Sequence, residues 1–531
     1  MQTRSSRSMR RFGRRRGSLV LAAIVAVAGL VLAACGSSTS GGGTASSGGG
    51  QIDRDATVTI GESLEPGTLD ITRGAGVAIA QVLQNNVYQG LLERDDKGTI
   101  TLALASSYRV STDGLTYTFT LRDGVRFHDG RVLAAADVVA SLGAVIAPGS
   151  TNPNAANLSS VASVASVASV ASVASVTSPS PGTVVLKLRN RDTNLPFWLT
   201  TAAGVVLRRG ATRLDATADG TGPFRFDSWK HGDSITLVRN DSYWGAKASV
   251  ARVVFRYITD VNAQNSAVRT GQVDIGTILD PELVNSYRTN RDFVVTRGAT
   301  TDKFTLGFNT AKAPLSDERV RHAIRQGIDK DALIRAYGQG IRIGGDVPPS
   351  DPWYEDLTSI DRYDPANAKK LLAQAGHPDG ISLTVTIPNI YPTSIPEFIA
   401  SDLKKIGVTL TIRTVEFPTW LADVFRNHNY ELSIVDHAEP RDLGNYANPR
   451  YYWGYDDPRA QALYKAGVQA SSDAERDRGF RELARFVSER AVSDWLLLGQ
   501  ALQVARTGVS GYPVNGVTSL YDASRIVVRR A

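Results

Sequence analysis

Residues 436–456, DHAEPRDLGNYANPRYYWGYD, carry the densest set of side chains able to grip a charged solute. Asp436, Glu439, Arg441 and Asp442 stand beside Tyr446, Tyr451, Tyr452 and Trp453, with His437 among them. Carboxylates take an ammonium and an arginine takes a carboxylate. Aromatic rings offer wide contact area and stack on planar or cationic groups. The competing reading of the rings is core packing. Phe417 and Trp420 in EFPTW, and Trp353 and Tyr354 in PPSDPWY, are further candidates of the same kind.

Covalent chemistry finds no footing. There is no GxSxG elbow, no HExxH and no GxxxxGK[ST] loop. The histidines, His128, His231, His322, His377, His428 and His437, are scattered at spacings unlike a metal cluster. Neither catalysis nor a metal or cofactor is expected.

The single cysteine, Cys35, cannot form an intrachain disulfide. Before it run a basic start (Arg4, Arg7, Arg10, Arg11, Arg14, Arg15, Arg16) and an apolar stretch from Leu19 to Ala34. That order is the layout of a secretory signal. The stretch is short of the about 20 apolar residues that span a bilayer, although an uncleaved anchor is the alternative. Leu32-Ala33-Ala34-Cys35 resembles a bacterial lipobox, which makes Cys35 the expected site of lipidation. The residues that follow, GSSTSGGGTASSGGG, have no apolar face and read as a tether. The faint twin-arginine phrase MRRF leaves the export route, Sec or twin-arginine, open.

The formal charge of +7 belongs to this leader. With its seven arginines set aside, 52 basic residues face 52 acidic ones, and the basic footprint of a nucleic-acid binder is missing. About 480 residues remain, too many for one compact core, so two or three lobes are predicted.

Strands and helices must position these groups. ATVTIG (56–61) predicts the first strand. Apolar and polar residues alternate from Leu104 to Leu121 on both sides of Asp113-Gly114, which predicts a hairpin, with a helix over about 134–145 after it. Residues 161–176, VASVASVASVASVASV, have a period of three that gives neither helix nor strand one buried face. They read as a poorly ordered loop expansion before TVVLKL (183–188). Residues 222–257 read mainly as strand. Ser316-Asp317-Glu318 and Asp364-Pro365 open helices, and Gly376 closes the second. A strand (382–387), a helix (IASDLKKIG) and a strand (VTLTIRTV) follow, an α/β pattern.

Several phrases together resemble the large extracytoplasmic solute-binding proteins of ABC importers, the peptide/nickel-binding family 5. They are LQNNVYQGLLERDDKG (83–98), YTFTLRDGVRFHDGRVLAAADVV (117–139), GTGPFRFDSWKHGDSITLVRNDSYWG (220–245), FNTAKAPLSDERVRHAIRQGIDKDALI (308–334) and YDPANAKKLLAQAG (363–376). The chain departs from the family where Val132, Ala134 and Ala136 replace its usual Pro, Thr and Glu.

The resemblance implies an α/β, two-lobed periplasmic-binding-protein-like fold of the large cluster C type with an inserted subdomain. The expected organisation is signal peptide 1–34, Ser/Gly tether 35–52 and first part of lobe I 53–89. The inserted subdomain would span 90–205, with low complexity at 159–181, and the second part of lobe I 206–302. Lobe II would span 303–499, and 500–531 would return to lobe I. It further implies a monomer on the extracytoplasmic face of the cell membrane, lipid-anchored, that delivers a small solute or peptide to ABC permease subunits. Oligopeptides or dipeptides come first, modified peptides or other amphiphiles next. An envelope lipoprotein with a regulatory or scaffolding role and no transport is the alternative.

Site residues follow from the same resemblance. Glu65 matches a position near ligand backbone, or else is a solvated turn acid before Pro66. In peptide-binding relatives the Asp of a Trp-x-x-Asp phrase takes the ligand ammonium. Here His437 stands where the Trp would be and Pro440 where the Asp would be, leaving Glu439 or Asp442 to substitute.

Overall fold

The computed structural model describes residues 50–74, 77–159, 161–166, 181–287, 289–518 and 520–530. The expected signal sequence, Cys35 and nearly all of the expected tether lie outside them. Among the described residues, no helix is long and apolar enough to cross a membrane.

Residues 50–531 form one compact unit built around a ten-stranded mixed sheet. Its order is Val408–Val415, Ile381–Pro388, Leu432–His437, Phe293–Phe308, Ser493–Arg506, Ile275–Gly276, Thr57–Glu62, Arg252–Tyr257, Ser234–Arg239 and Phe224–Lys230. Sequence neighbours pair locally at either end, whereas the middle is held by two long antiparallel strands, Phe293–Phe308 and Ser493–Arg506. Their register slips between Ala299 and Lys303, opposite Gln500 and Leu498. Extra residues in one strand interrupt the ladder and bend it.

The predicted elements sit close to their expected places. The hairpin pairs Ala105–Val110 with Thr116–Leu121. Asp113 Oδ1 accepts from the Leu115 N–H at 2.9 Å, and Gly114 takes a φ of +69° that a bulkier residue would resist. Asp317 caps the helix Glu318–Gly327 by accepting from the Arg319 N–H at 2.8 Å. Asp364 does the same for Pro365–Gln374 at the Asn367 N–H. The helix Ala135–Ile146 lacks a side-chain cap at Ala134, but Asp137 reaches back to accept from the Ala134 N–H at 3.0 Å.

One expectation is corrected. Residues Val161–Ser166, the first two VAS repeats, form a strand antiparallel to Thr183–Leu188. They are the edge of a four-stranded sheet with the hairpin strands. Ladder hydrogen bonds come from the backbone and need no side-chain periodicity, which is why the period of three does not forbid an edge strand. The rest of the repeat, 167–176, lies outside the described residues.

Separate apolar clusters underlie the parts. One gathers Val58, Ile60, Phe224, Ile235 and Phe255; a second, Phe119, Val138, Leu142, Val184 and Leu186. A third holds Leu306, Ile324, Val385, Ile399 and Ile434. The fourth is aromatic, around Trp353, Tyr446, Tyr452, Trp453 and Trp495. The strand Leu432–His437 ends beside Lys303 on its neighbour, and the loop 438–448 follows it.

Candidate functional site

A cavity of about 610 Å³ opens where that loop faces the N-terminal half. Val77, Gln84, Arg94, Trp198 and Leu520 line one side; Glu439, Arg441, Asp442 and Tyr464 line the other. A second cavity of about 340 Å³ shares Val77, Ala438 and Leu520 with it and reaches Glu62, Thr300 and Asp302.

Lys303 organises the acidic side. Its ammonium is fully buried, 3.1 Å from Asp442 Oδ1, and donates to the carbonyls of Thr301 and Glu439. Asp442 and Asp346 act on it and hold it cationic, above the ordinary lysine range, despite burial. Burial pushes Asp346, Asp436 and Asp442 up, and the charge of neighbouring carboxylates adds to the rise at each. Asp302 rises to about 6 by burial.

Three of the predicted site residues, Glu439, Arg441 and Asp442, therefore line the cavity together. Asp442 is committed to Lys303, whereas Glu439 keeps 74% of its side chain exposed. His437, Glu439 and Asp442 bring potential metal-ligand atoms within 4.8 Å of one another. The Lys303 ammonium on Asp442 opposes a second cation there, and His437 Nε2 is taken up by the Tyr452 hydroxyl at 2.9 Å. The group does not suit a metal ion.

The aromatic candidates are placed differently from the expectation of a solute-facing wall. His437, Tyr446, Tyr452, Trp453 and Trp420 are buried, with Phe417 and Tyr451 packed against the same cluster, and none lines this cavity. Tyr446 stacks on Trp453 at 5.6 Å, Tyr452 lies 4.0 Å from Trp453, and His437 Nε2 meets the Tyr452 hydroxyl at 2.9 Å. The rings form one block, to which the loop 438–448 contributes Tyr446. Trp353 is buried in that block too, and Tyr354 packs against it. Glu65 is held elsewhere: its carboxylate accepts from Trp229 Nε1 at 2.7 Å and from the Gly232 N–H at the tip of the 224–239 hairpin. It is not among the lining residues.

Glu62, Arg94 and Lys303 were not legible as site residues. Glu62 is buried, and its carboxyl accepts from Thr277 Oγ1 at 3.1 Å through one oxygen while the other has no partner. Burial pushes it up to about 7. A raised folded value means stability falls as pH rises from the unfolded value of about 4.5 to about 7. Glu62→Gln removes that penalty. It is expected to match wild type below pH about 4.5 and exceed it by about 3 kcal/mol above pH about 7, read from urea unfolding at stepped pH.

The comparisons with known proteins agree with this architecture. The sequence profile of bacterial extracellular solute-binding proteins, family 5 Middle, matches residues 99–465. The "Probable di/tripeptide-binding protein 5" of Pseudomonas aeruginosa (strain UCBPP-PA14) is 26% identical over 509 residues, covering 90% of this chain and 96% of its own. "Heme-binding protein A" of Haemophilus influenzae is 28% identical over 358 residues, 62% of this chain and 65% of its own. Among solved structures, the periplasmic binding protein DppA from Helicobacter pylori in complex with peptide STSA superposes with a TM-score of 0.73 at 21% identity, covering 90% of this chain and 98% of its own. The fold is thus the mixed α/β fold of large cluster C periplasmic-binding proteins. The chain belongs to family 5 of the bacterial extracellular solute-binding proteins, which are binding receptors and not enzymes.

Proposed function

We propose that this chain captures a small solute, an oligopeptide or dipeptide before other classes, between two lobes and delivers it to the permease of an ABC importer. The observation that carries the reading is the cavity itself. Residues far apart in sequence line it from opposite sides, and it offers both charge signs, Glu439 against Arg94 and Arg441. A zwitterionic solute needs that arrangement at its two ends. The di/tripeptide-binding relative supports the solute class, while the heme-binding relative marks how far it varies within the family.

The same reading keeps lobe II at 303–499 and the return at 500–531. The ladder slip between Ala299 and Lys303 supports a hinge there, because backbone freed from pairing absorbs the rotation of lobe closure. The binding residues are then Glu439 for an ammonium, Arg441 for a carboxylate and Asp442 as the partner that fixes Lys303. Glu65 and the aromatic block (Phe417, Trp420, His437, Tyr446, Tyr451, Tyr452, Trp453) act outside direct contact. Cys35 carries the lipid that holds the protein at the membrane, which metabolic labelling with a fatty acid tests.

Native mass spectrometry of the purified protein tests capture. A non-covalent adduct lost on unfolding, identified as a peptide, is the expected result. Only the bare chain mass, before and after incubation with a tryptic peptide pool, would falsify the proposal.

A further inference from the structure

Glu62 stands at the carboxyl end of the strand Thr57–Glu62, which runs parallel to Arg252–Tyr257 and Ile275–Gly276. Open α/β sheets bind ligands outside the carboxyl ends of their strands. The cavity of about 340 Å³ reaches this point, and Glu62, Thr277, Asp302, Gln339 and Gln503 are among its lining residues. Two carboxyl groups line it, and no lysine, arginine or histidine does. The larger cavity, by contrast, carries both charge signs.

The oxygens of this pocket are short of donors. Glu62 is 4% exposed, and its Oε1 is buried without a hydrogen-bond partner. Its Oε2 is 3.1 Å from the Thr277 hydroxyl, but that group's single proton is nearer the Gly61 carbonyl, at 2.7 Å. The Tyr257 and Tyr521 hydroxyls feel the Glu62 charge, yet neither makes a hydrogen bond among the described residues. Gln503, 5% exposed, is oriented by its Nε2, which donates to the Pro513 carbonyl at 2.9 Å. Its Oε1 is left buried and unpaired, as is Oε1 of Gln339, which follows the helix Lys330–Tyr337. Buried acceptors without donors are costly. A carboxyl and two amide oxygens around one space call for a cationic group rich in N–H.

We propose that this pocket is a subsite for the ammonium or guanidinium end of a basic side chain on the captured solute, with Glu62 as counter-ion and the Gln503 and Gln339 oxygens as further acceptors. The proposal rests on the capture reading above and narrows it to solutes that carry a basic group besides their two ends. An ammonium brings three donors and a guanidinium five, enough for the three unpaired oxygens. Val77, Ala438 and Leu520 line both cavities, so the pocket adjoins the place where Glu439 and Arg441 hold the solute.

The mature chain and Glu62→Gln are compared by thermal unfolding in the chlorides of n-butylammonium, tetramethylammonium and sodium at equal ionic strength, at pH about 8, where Glu62 is ionised. Tetramethylammonium has the charge without the N–H groups. Glu62→Gln keeps the side-chain shape and folds, being at least as stable as wild type by the argument above. Butylammonium is expected to raise the Tm of wild type above its value in the other two salts, and to leave the variant where they leave it. In calorimetric titrations of wild type, Ala-norleucine is expected to bind about 10- to 100-fold more weakly than Ala-Lys, the loss of a charged hydrogen-bonded group. Glu62→Gln is expected to bring the two dipeptides within a few-fold of each other. Butylammonium without effect leaves the oxygens to water and overturns the proposal. So does an equal rise in all three salts or in both proteins, and so does equal affinity of wild type for the two dipeptides, in which case capture still stands. If butylammonium acts through Glu62 while no dipeptide binds, the cation pocket stands and the peptide reading falls.

Discussion

Lys303→Met is expected to lower the stability of the folded chain by about 3–5 kcal/mol at neutral pH, the usual cost of removing one partner of a buried ion pair. The Lys303 ammonium has no solvent exposure and meets Asp442 at 3.1 Å, with Asp346 contributing to the same field. Met fills the volume and leaves the carboxylates without a cation. The pH course follows from the directions of the shifts. Lys303 is raised above its ordinary 10.5, so its contribution is fully present below that value and is lost only as pH climbs through the raised one. In the variant, Asp442 can escape burial of its charge by taking a proton, so the deficit shrinks towards pH about 4. Urea unfolding at pH 4, 6 and 8 checks this (~4, ~6 and ~8 on the electrode). A deficit that stays flat across that range would assign the loss to packing.

Trp453→Ala is expected to cost about 3–5 kcal/mol as well, by the different route of cavity creation. Trp453 is 1% exposed and wedged among Tyr446, Tyr452 and His437. Gly307 on the facing strand leaves it room: a Cβ there would come within 2.3 Å of the Trp453 ring. Thermal unfolding with a folded-state calorimetric titration separates the two roles the sequence left open. A core ring takes stability with it and leaves the affinity of the folded fraction within a few-fold. A solute-facing ring would do the reverse.

The secondary structure was legible where chemistry is local. Asp317 and Asp364 announce their helices because a carboxylate beside free N–H groups acts within four residues. Asp113-Gly114 announces its hairpin for the same reason of short range. VTLTIRTV is a strand over its full predicted length, Val408–Val415, because its β-branched residues suit a pleated surface.

The site was legible in part, for the opposite reason. Glu439, Arg441 and Asp442 cluster in sequence and again in space. Lys303, in TTDKFTLGF, reads as one polar position of a strand, and only folding brings Asp442 and Asp346 to it. Arg94, in GLLERDD, gives no sign that it will share the face of Phe197 with Arg441, far away in sequence. The aromatic run is ambiguous in sequence because a ring suited to grip a solute is equally suited to a core. Burial of Tyr446, Tyr452 and Trp453 in one aromatic cluster is a property of the assembled chain. The VAS repeat misleads in another way, since strand pairing at an edge asks little of its side chains.

Small-angle scattering of the mature protein, titrated with the solute eluted from it or with a tryptic peptide pool, tests interlobe capture most directly. Closure about the 300–302 segment predicts a radius of gyration that falls and saturates as solute is added. A radius unchanged at full occupancy, with binding established by calorimetry on the same sample, would contradict two lobes gripping a guest between them.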